Sequence, residues 1–339
     1  MAGEAIEIDI AGQAVRVTNP DKVFFSSRGE TKLDLINYYL SVADPLLEAL
    51  GGRPTLMQRF PDGASGKSFF QKRVPKGAPE WLHTTTVETV NGTPSNALVL
   101  DDMAHVAWAV NMGCLGFHQW PYKAATPTIT DELRIDLDPM PGTTFDMIRE
   151  GAHEVRALFT ELGIESWIKT TGSRGLHIYV RLVPKWDSTQ VRSAAVALAR
   201  ELERRRPDLL TAAWWKEERG ERIFVDFNQN APHKTVFAAW SARSRVGAQV
   251  STPLSWAEVD DVDPNELTVV TVPDRVAQRG DPWREVSEHP GNIEPLIDQF
   301  WDEIAAGAMD APWPPVYPKQ PLEPPRVAPS RARGASTAS

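Results

Sequence analysis

The chain has 339 residues, with 45 acidic against 36 basic side chains, a formal charge of −9 and a single cysteine. That length can bury a real core in one large domain or two lobes. The lone Cys114 excludes an internal disulfide and any Cys-rich zinc knuckle. No apolar run reaches the roughly 18–20 residues that span a bilayer. MAGEAIEIDI lacks the basic-then-apolar start of a signal peptide, so the expected location is cytoplasmic, at the nucleoid when acting, with no membrane partner.

A charge of −9 argues at first sight against nucleic acid, because phosphate binding needs positive surface. The distribution matters more. Residues 253–310 hold fourteen acids and three bases, the tail from 311 is +3, and residues 1–252 are nearly balanced at −1. Within them, residues 16–76 carry ten bases and six acids. A basic groove on an acidic protein is therefore compatible with the composition.

In chain order, residues 31–50 are predicted helical, with Leu33, Ile36, Leu40 and Leu47 spaced to share a face. Asp101–Gly113 opens on an acidic cap and closes on glycine. The polar stretch 123–131 is a boundary between an N-terminal lobe, 1–125, and a catalytic lobe, 126–310. LRIDLD (133–138) alternates with the period of a strand. Residues 144–162 form an amphipathic helix capped by Thr144 and stopped by Gly163. SWIKT (166–170) and LHIYVRL (176–182) are strands joined by the turn TGSRG. Residues 188–206 make another amphipathic helix, ended by Pro207, and RIFVDFN (222–228) is a strand. Eight prolines between Ala311 and Ser330, followed by RARGASTAS, read as an extended, partly disordered tail laid along the body by Trp313 and Tyr317. Helices and strands interleave, so the expected class is α+β (mixed α/β).

Several stretches carry chemistry. Asp136 and Asp138 are two apart on one strand, so both carboxylates leave from the same face. Like charges on one face favour a hard divalent cation between them; the competing reading is a solvated strand face. In RIFVDFN, Phe224, Asp226 and Asn228 share a face. If that strand lies beside LRIDLD, three carboxylates can hold two cations about 4 Å apart for an in-line phosphoryl displacement. TTGSRGLH places hydroxyls and free amides in a tight turn, suited to an anion; a plain hairpin with a satisfied histidine competes. It is not a Walker A loop. Arg243 and Arg245 alternate, so in a strand they would aim together at phosphate oxygens. Phe69 and Phe70 sit among Lys67, Lys72 and Arg73, a pattern that stacks on nucleobases while charges track phosphate. One buried and one half-buried phenylalanine is the plainer expectation.

These pieces, in this order, resemble the polymerase domain of bacterial ATP-dependent DNA ligase D, of the archaeo-eukaryotic primase superfamily. The likeness rests on VTNPDKVFF (17–25), TKLDLINYY (31–39), GGRPTLMQRFPDG (51–63), SFFQK (68–72), LGFHQW (115–120), RIDLDP (134–139), TTGSRGLH (170–177), FVDFNQN (224–230) and SARSR (241–245). It implies a primase-polymerase fold of two β-sheets flanked by helices, with an RRM-like catalytic half. It implies metal-binding catalytic roles for Asp136, Asp138 and Asp226, with two Mn²⁺ or Mg²⁺ ions. His118, Thr171, Ser173, Arg174, His177, Gln229, Lys234, Arg243 and Arg245 would surround the incoming nucleotide. Asn19, Lys22 and Lys32 would grip a downstream 5′-phosphate, and Arg59, Phe69, Phe70 and Lys72 would contact the DNA. Thr171 stands where Ser is expected, Arg174 where Lys is common, and Gln58 where a basic residue often precedes Arg59.

The implied function is a template-dependent nucleotidyltransferase that adds NTP or dNTP to a primer 3′-hydroxyl, filling gaps during DNA repair or end joining. Its expected partners are gapped or primer-template DNA with a 5′-phosphate, a DNA-end-binding protein and a DNA ligase, and the protein itself is expected to be a monomer. The alternatives are a primase that starts chains de novo, a metal-dependent D-x-D glycosyltransferase and a non-catalytic DNA-end binding module.

Overall fold

The computed structural model describes residues 5–328. The chain opens with a hairpin, β1 (Ala5–Ile10) and β2 (Gln13–Thr18). Ala11 and Gly12 both have positive φ, as the tightest hairpin turns require. Helix α1 (Lys32–Ser41) starts at a capping box in which Thr31 and Asp34 satisfy each other's amides. The single helix expected over 31–50 is broken at Val42, and α2 covers Ala43–Leu50. Pro45 is the cause: it has no N–H for the Ser41 carbonyl, and its ring crowds that oxygen.

There follow β3 (Pro54–Arg59), β4 (Phe69–Gln71), β5 (Thr84–Val87) and β6 (Ser95–Val99). Next come α3 (Met103–Asn111), capped by Asp102, and β7 (Cys114–Gln119). The second half holds β8 (Glu132–Pro139), α4 (Phe145–Glu161), β9 (Trp167–Thr170), β10 (Leu176–Arg181) and α5 (Ser188–Arg205). Then come β11 (Leu210–Thr211), α6 (Lys216–Arg219), β12 (Ile223–Asp226), β13 (Val236–Phe237) and β14 (Pro253–Leu254). Helices α7 (Thr271–Arg279) and α8 (Glu294–Ala305) complete the set.

The strands form two six-stranded sheets, one ordered β13-β7-β3-β6-β5 with β4 on β3, the other β11-β12-β8-β10-β9-β14. Strand β13 joins the first sheet although it follows β12 in the chain, so residues 236–237 tie the two halves together. In the second sheet Leu133, Ile135 and Leu137 of β8, with Ile178 and Val180 of β10, are buried in the main core, which α4 and α5 cover. The opposite face is polar and carries Glu132, Arg134, Asp136 and Asp138. It meets the first sheet through buried ion pairs, Arg53 to Asp131 at 2.6 Å and to Glu132 at 3.0 Å.

Two further expectations change. The strand over 222–228 stops at Asp226, and Phe227–Asn230 is a 3₁₀ turn, so Asn228 does not share the face of Asp226. Instead it is buried, with its amide donating to Asp226 Oδ1 at 2.9 Å. Helix α5 is not amphipathic over its middle: Val191 to Ala199 are all buried, Arg192 included, because α8 and the tail cover its outer side. Trp313 and Tyr317 are indeed buried, with Tyr317 Oη donating to the Pro232 carbonyl at 2.5 Å. Residues 329–339, with the end of the expected tail, lie outside the described residues. No helix among the described residues is long and apolar enough to cross a membrane.

Candidate active site

Strand register assembles the carboxylates. Strands β12 and β8 pair antiparallel with Asp226 directly opposite Asp136 and Phe224 opposite Asp138. Each of Asp136, Asp138 and Asp226 places a carboxylate oxygen within 4.8 Å of those of the other two. Burial first, and the neighbouring carboxylates next, push Asp226 up to about 7. Burial also lifts Asp136 to about 6, against the pull of Lys169, Arg243 and Gln229. Asp138, at the exposed rim, is raised too, by desolvation and then by the Asp136 charge. Such a cluster of hard oxygen donors, costly to ionise unaided, fits divalent cations. Gln229 donates from one amide nitrogen to Asp136 Oδ2 at 3.3 Å and Asp226 Oδ2 at 2.9 Å, so it bridges two of the acids.

The turn between β9 and β10 forms the facing wall. Thr171 Oγ1 accepts from the Ser173 and Gly175 amides, at 3.1 and 3.2 Å, and so shapes the loop rather than facing outward. Gly172 has φ +68°, and a Cβ there would sit 2.7 Å from Arg243 Cγ. Arg243 follows an isolated bridge at Ala242 and Arg245 lies in a bend, so neither belongs to a regular strand. They converge all the same, because each is held by the loop: Arg243 Nε donates to the Thr171 carbonyl at 2.8 Å and Arg245 to Ser173 Oγ at 2.6 Å. Together with Arg174 they line a cavity of about 270 Å³ that also contains Asp136, Asp138 and His177. Lys234 is half-buried, and its charge acts on Asp226.

His177 sits opposite Asp136 in the register, with Nε2 3.2 Å from Asp136 Oδ1. Its Nδ1 lies 2.9 Å from Nζ of Lys169, a fully buried lysine that sequence reasoning missed. Burial drives both groups toward their neutral forms. A second overlooked group is Arg219, stacked 3.5 Å over Phe224, whose charge acts on Asp138 and Asp226. Lys169, beside Trp167 and Ile168 in a short strand, left that one signal in the sequence, and Arg219, in the charged run KEER, left none.

A row of rings packed edge to face leads out of the cavity. The Arg243 guanidinium lies 3.6 Å from the Phe237 ring, Phe237 is 5.1 Å from His118, and His118 is 5.3 Å from Phe70. Gly116 is required there, since a Cβ would lie 2.4 Å from Phe237 Cζ. Burial first, then Arg243, Lys169 and His177, hold the His118 imidazole neutral, down to about 3. Phe69 and Phe70 are 46% and 55% exposed, which corrects the expectation of one buried and one half-buried ring. The reason is β4 itself: it is a three-residue strand paired only with β3, so neither of its faces is covered. Arg59 stacks 5.2 Å from Phe69 and spends its donors on the Met112 carbonyl and Gln71, so it braces the aromatic. Lys72 is exposed beside them.

Asn19, Lys22 and Lys32 gather at the start of α1, where Lys32 N donates to the Lys22 carbonyl. Asn19 is exposed and left-handed (φ 50°), and the Lys22 ammonium donates to the Pro61 carbonyl. Lys32 is only 4% exposed. Its ammonium donates to the Thr18 carbonyl and to both oxygens of Asn111, so all its protons are engaged within the fold.

The profile of the LigD primase-polymerase domain matches residues 31–283. The multifunctional non-homologous end joining protein LigD of Mycolicibacterium smegmatis is 35% identical over 271 residues, 79% of this chain and 35% of that protein. The bifunctional non-homologous end joining protein LigD of Bacillus subtilis is 31% identical over 284 residues, 83% of this chain and 45% of that protein. This chain therefore spans between a third and a half of the length of these relatives. Among solved structures, the polymerase domain of Mycobacterium tuberculosis ligase D in complex with DNA superposes with a TM-score of 0.76 at 31% identity, covering 82% of this chain and all of that one.

Proposed function

The chain belongs to the LigD primase-polymerase family, and on that premise we propose that it is a template-dependent nucleotidyltransferase that extends a primer 3′-hydroxyl with NTP or dNTP. The observation that carries the reading is the register that sets Asp226 against Asp136, with Asp138 beside them, facing a loop held by two arginines. Residues 126–310 act as the catalytic lobe and residues 1–125 as the lobe that contacts DNA.

Asp136, Asp138 and Asp226 would hold two Mn²⁺ or Mg²⁺ ions, beside the Gln229 amide. When bound, such ions neutralise the triphosphate and lower the cost of ionising the attacking hydroxyl. The other residues bind and orient. Arg243, Arg245 and Arg174 receive the phosphate oxygens, with amides of the Thr171–Gly175 loop beside them. The neutral His118 packs against the nucleotide without adding charge. Phe69 and Phe70 stack on template bases, and Lys72 follows the phosphates. Lys22 and Asn19, at the positive end of α1, receive a downstream 5′-phosphate. Lys32 joins them only by releasing a carbonyl partner. The names of the relatives support a role in non-homologous end joining, with a DNA-end-binding protein and a ligase as partners.

The deciding assay is incorporation of rNTP against dNTP on a 5′-phosphorylated gap, with Mn²⁺ and with Mg²⁺. Asp136→Ala and Asp138→Ala should each abolish extension with the fold retained, and undiminished extension by both would overturn the reading. Synthesis on a template without primer would point to a primase. The glycosyltransferase alternative leaves the exposed Phe69 and Phe70 without a task.

A further inference from the structure

We propose that Lys169 is the positioning residue of the carboxylate cluster: it fixes His177 in the tautomer that donates to Asp136, and so sets the orientation of that carboxylate. Lys169, His177, Asp136 and Asp226 form one straight row across four neighbouring strands, each opposite the next in the register. All four therefore project from the polar face of the sheet. Lys169 is fully buried and closed to solvent.

The hydrogen bonds along the row run in one direction. Ser251 Oγ is 2.8 Å from the Thr170 carbonyl, which can only accept, so the hydroxyl proton is spent there. Ser251 Oγ must then accept from Lys169 Nζ, 2.6 Å away. Nζ lies 2.9 Å from His177 Nδ1, and the proposal assigns the amine the donor's role there. A neutral imidazole has one N–H and one acceptor nitrogen. With Nδ1 accepting, the proton stays on Nε2, which lies 3.2 Å from Asp136 Oδ1. Asp136 Oδ2 meets Gln229 on its other side. The carboxylate is pinned from both sides, and Lys169 is the origin of one pin. Without an amine at 169, Nδ1 has no donor. The imidazole is then free to carry its proton there and to turn a lone pair on Asp136. Partners of this outer kind change metal affinity or activity by roughly 10–100-fold when removed.

The consequence for synthesis rests on the proposed polymerase function, while the tautomer does not. The test is two-bond ¹H–¹⁵N correlation on protein labelled at histidine, with His177 assigned by its loss in His177→Gln. Wild type should show Nε2 protonated and Nδ1 bare. Lys169→Met should move the proton at least in part to Nδ1 and weaken Mn²⁺ binding, measured by calorimetry, by roughly 10–100-fold. Its kcat for extension should fall while the nucleotide KM stays nearly constant, and Lys169→Arg should restore part of both. A proton on Nδ1 in wild type, or a folded Lys169→Met with unchanged tautomer and Mn²⁺ affinity, overturns the proposal. If Lys169→Met does not fold, Ser251→Ala decides: weaker Mn²⁺ binding supports the proposal and unchanged binding overturns it. A shifted tautomer in a protein that never extends primers would sink the polymerase reading and leave this one standing.

Discussion

Asp226 costs the empty protein stability. Its carboxyl is raised to about 7 and that of Asp136 to about 6, against an ordinary 3.8. Between about pH 4 and pH 7 the folded chain thus holds more protons than the unfolded one. The sign follows directly: stability of the metal-free protein falls as pH rises through that window. Asp226→Asn removes a large part of the effect. It should flatten the apo melting profile between pH 5 and 7.5 and raise the melting temperature near neutrality by roughly 2 °C, while extension is lost. An unchanged pH profile would show that the cluster is not strained. Divalent cations should raise the wild-type melting temperature at pH 7.5 and leave that of the variant nearly unmoved. Phe70 presents the opposite case. It is exposed, so Phe70→Ala should leave stability almost intact and weaken binding of a single-stranded template overhang by about 1–3 kcal/mol. Fluorescence anisotropy with and without an overhang separates this from a general loss of DNA binding.

At the scale of elements, the turn between β9 and β10 does the work of several side chains. Thr171 closes it from within, while Arg243 and Arg245 hold it from outside. Gly172 is the point where these meet, left-handed and against Arg243 Cγ. Gly172→Ala should cost about 1–2 kcal/mol of stability from the backbone alone. It should also push Arg243 aside and raise the nucleotide KM with little change in Mn²⁺ affinity. An unchanged KM would mean that Arg243 does not meet the nucleotide. Two departures from sequence expectation are instead local to their elements. Pro45 splits the helix that apolar spacing made continuous, and the 3₁₀ turn after Asp226 swings Asn228 away from the sheet face and under the acid.

For the whole molecule, the acidic segment and the tail are covers. Glu258 pairs with Arg275 and Arg279 at 2.5 and 2.7 Å, and most of the remaining acids of 253–310 are exposed. The tail is anchored by Arg192, which is fully buried. It donates to Asp310 at 3.0 Å, to the Ala311 carbonyl and to Asn228 Oδ1, and it stacks 4.1 Å over Trp313. Asn228 in turn donates to Asp226, so the strap reaches within one residue of a candidate metal ligand although it lies beyond the matched family region. Asp310→Asn leaves a buried guanidinium without its counter-charge. It should cost about 3–5 kcal/mol, read as a lower denaturant midpoint, whereas Lys185→Gln, in an exposed pair with Glu294, should cost under about 1 kcal/mol. Equal losses would show that the strap carries no special load.

Local chemistry determined much of this protein from the sequence alone. Strand alternation put Asp136 and Asp138 on one face and Thr144 marked a helix start, because each depends on neighbours a few residues away; the acidic start expected at Asp101 lies one residue before the cap, Asp102. The ordered motifs also carried the family resemblance. Only the tertiary structure set Asp226 opposite Asp136, since pairing between strands some ninety residues apart leaves no local trace. The same holds for Lys169 and Arg192, whose burial turned ordinary-looking cations into fixed hydrogen-bond donors, and for Lys32, whose ammonium the fold engages with Thr18 and Asn111. The physical reason is common to all of them: a side chain's charge and alternation are local properties, whereas its desolvation and its partners belong to whatever the fold brings against it.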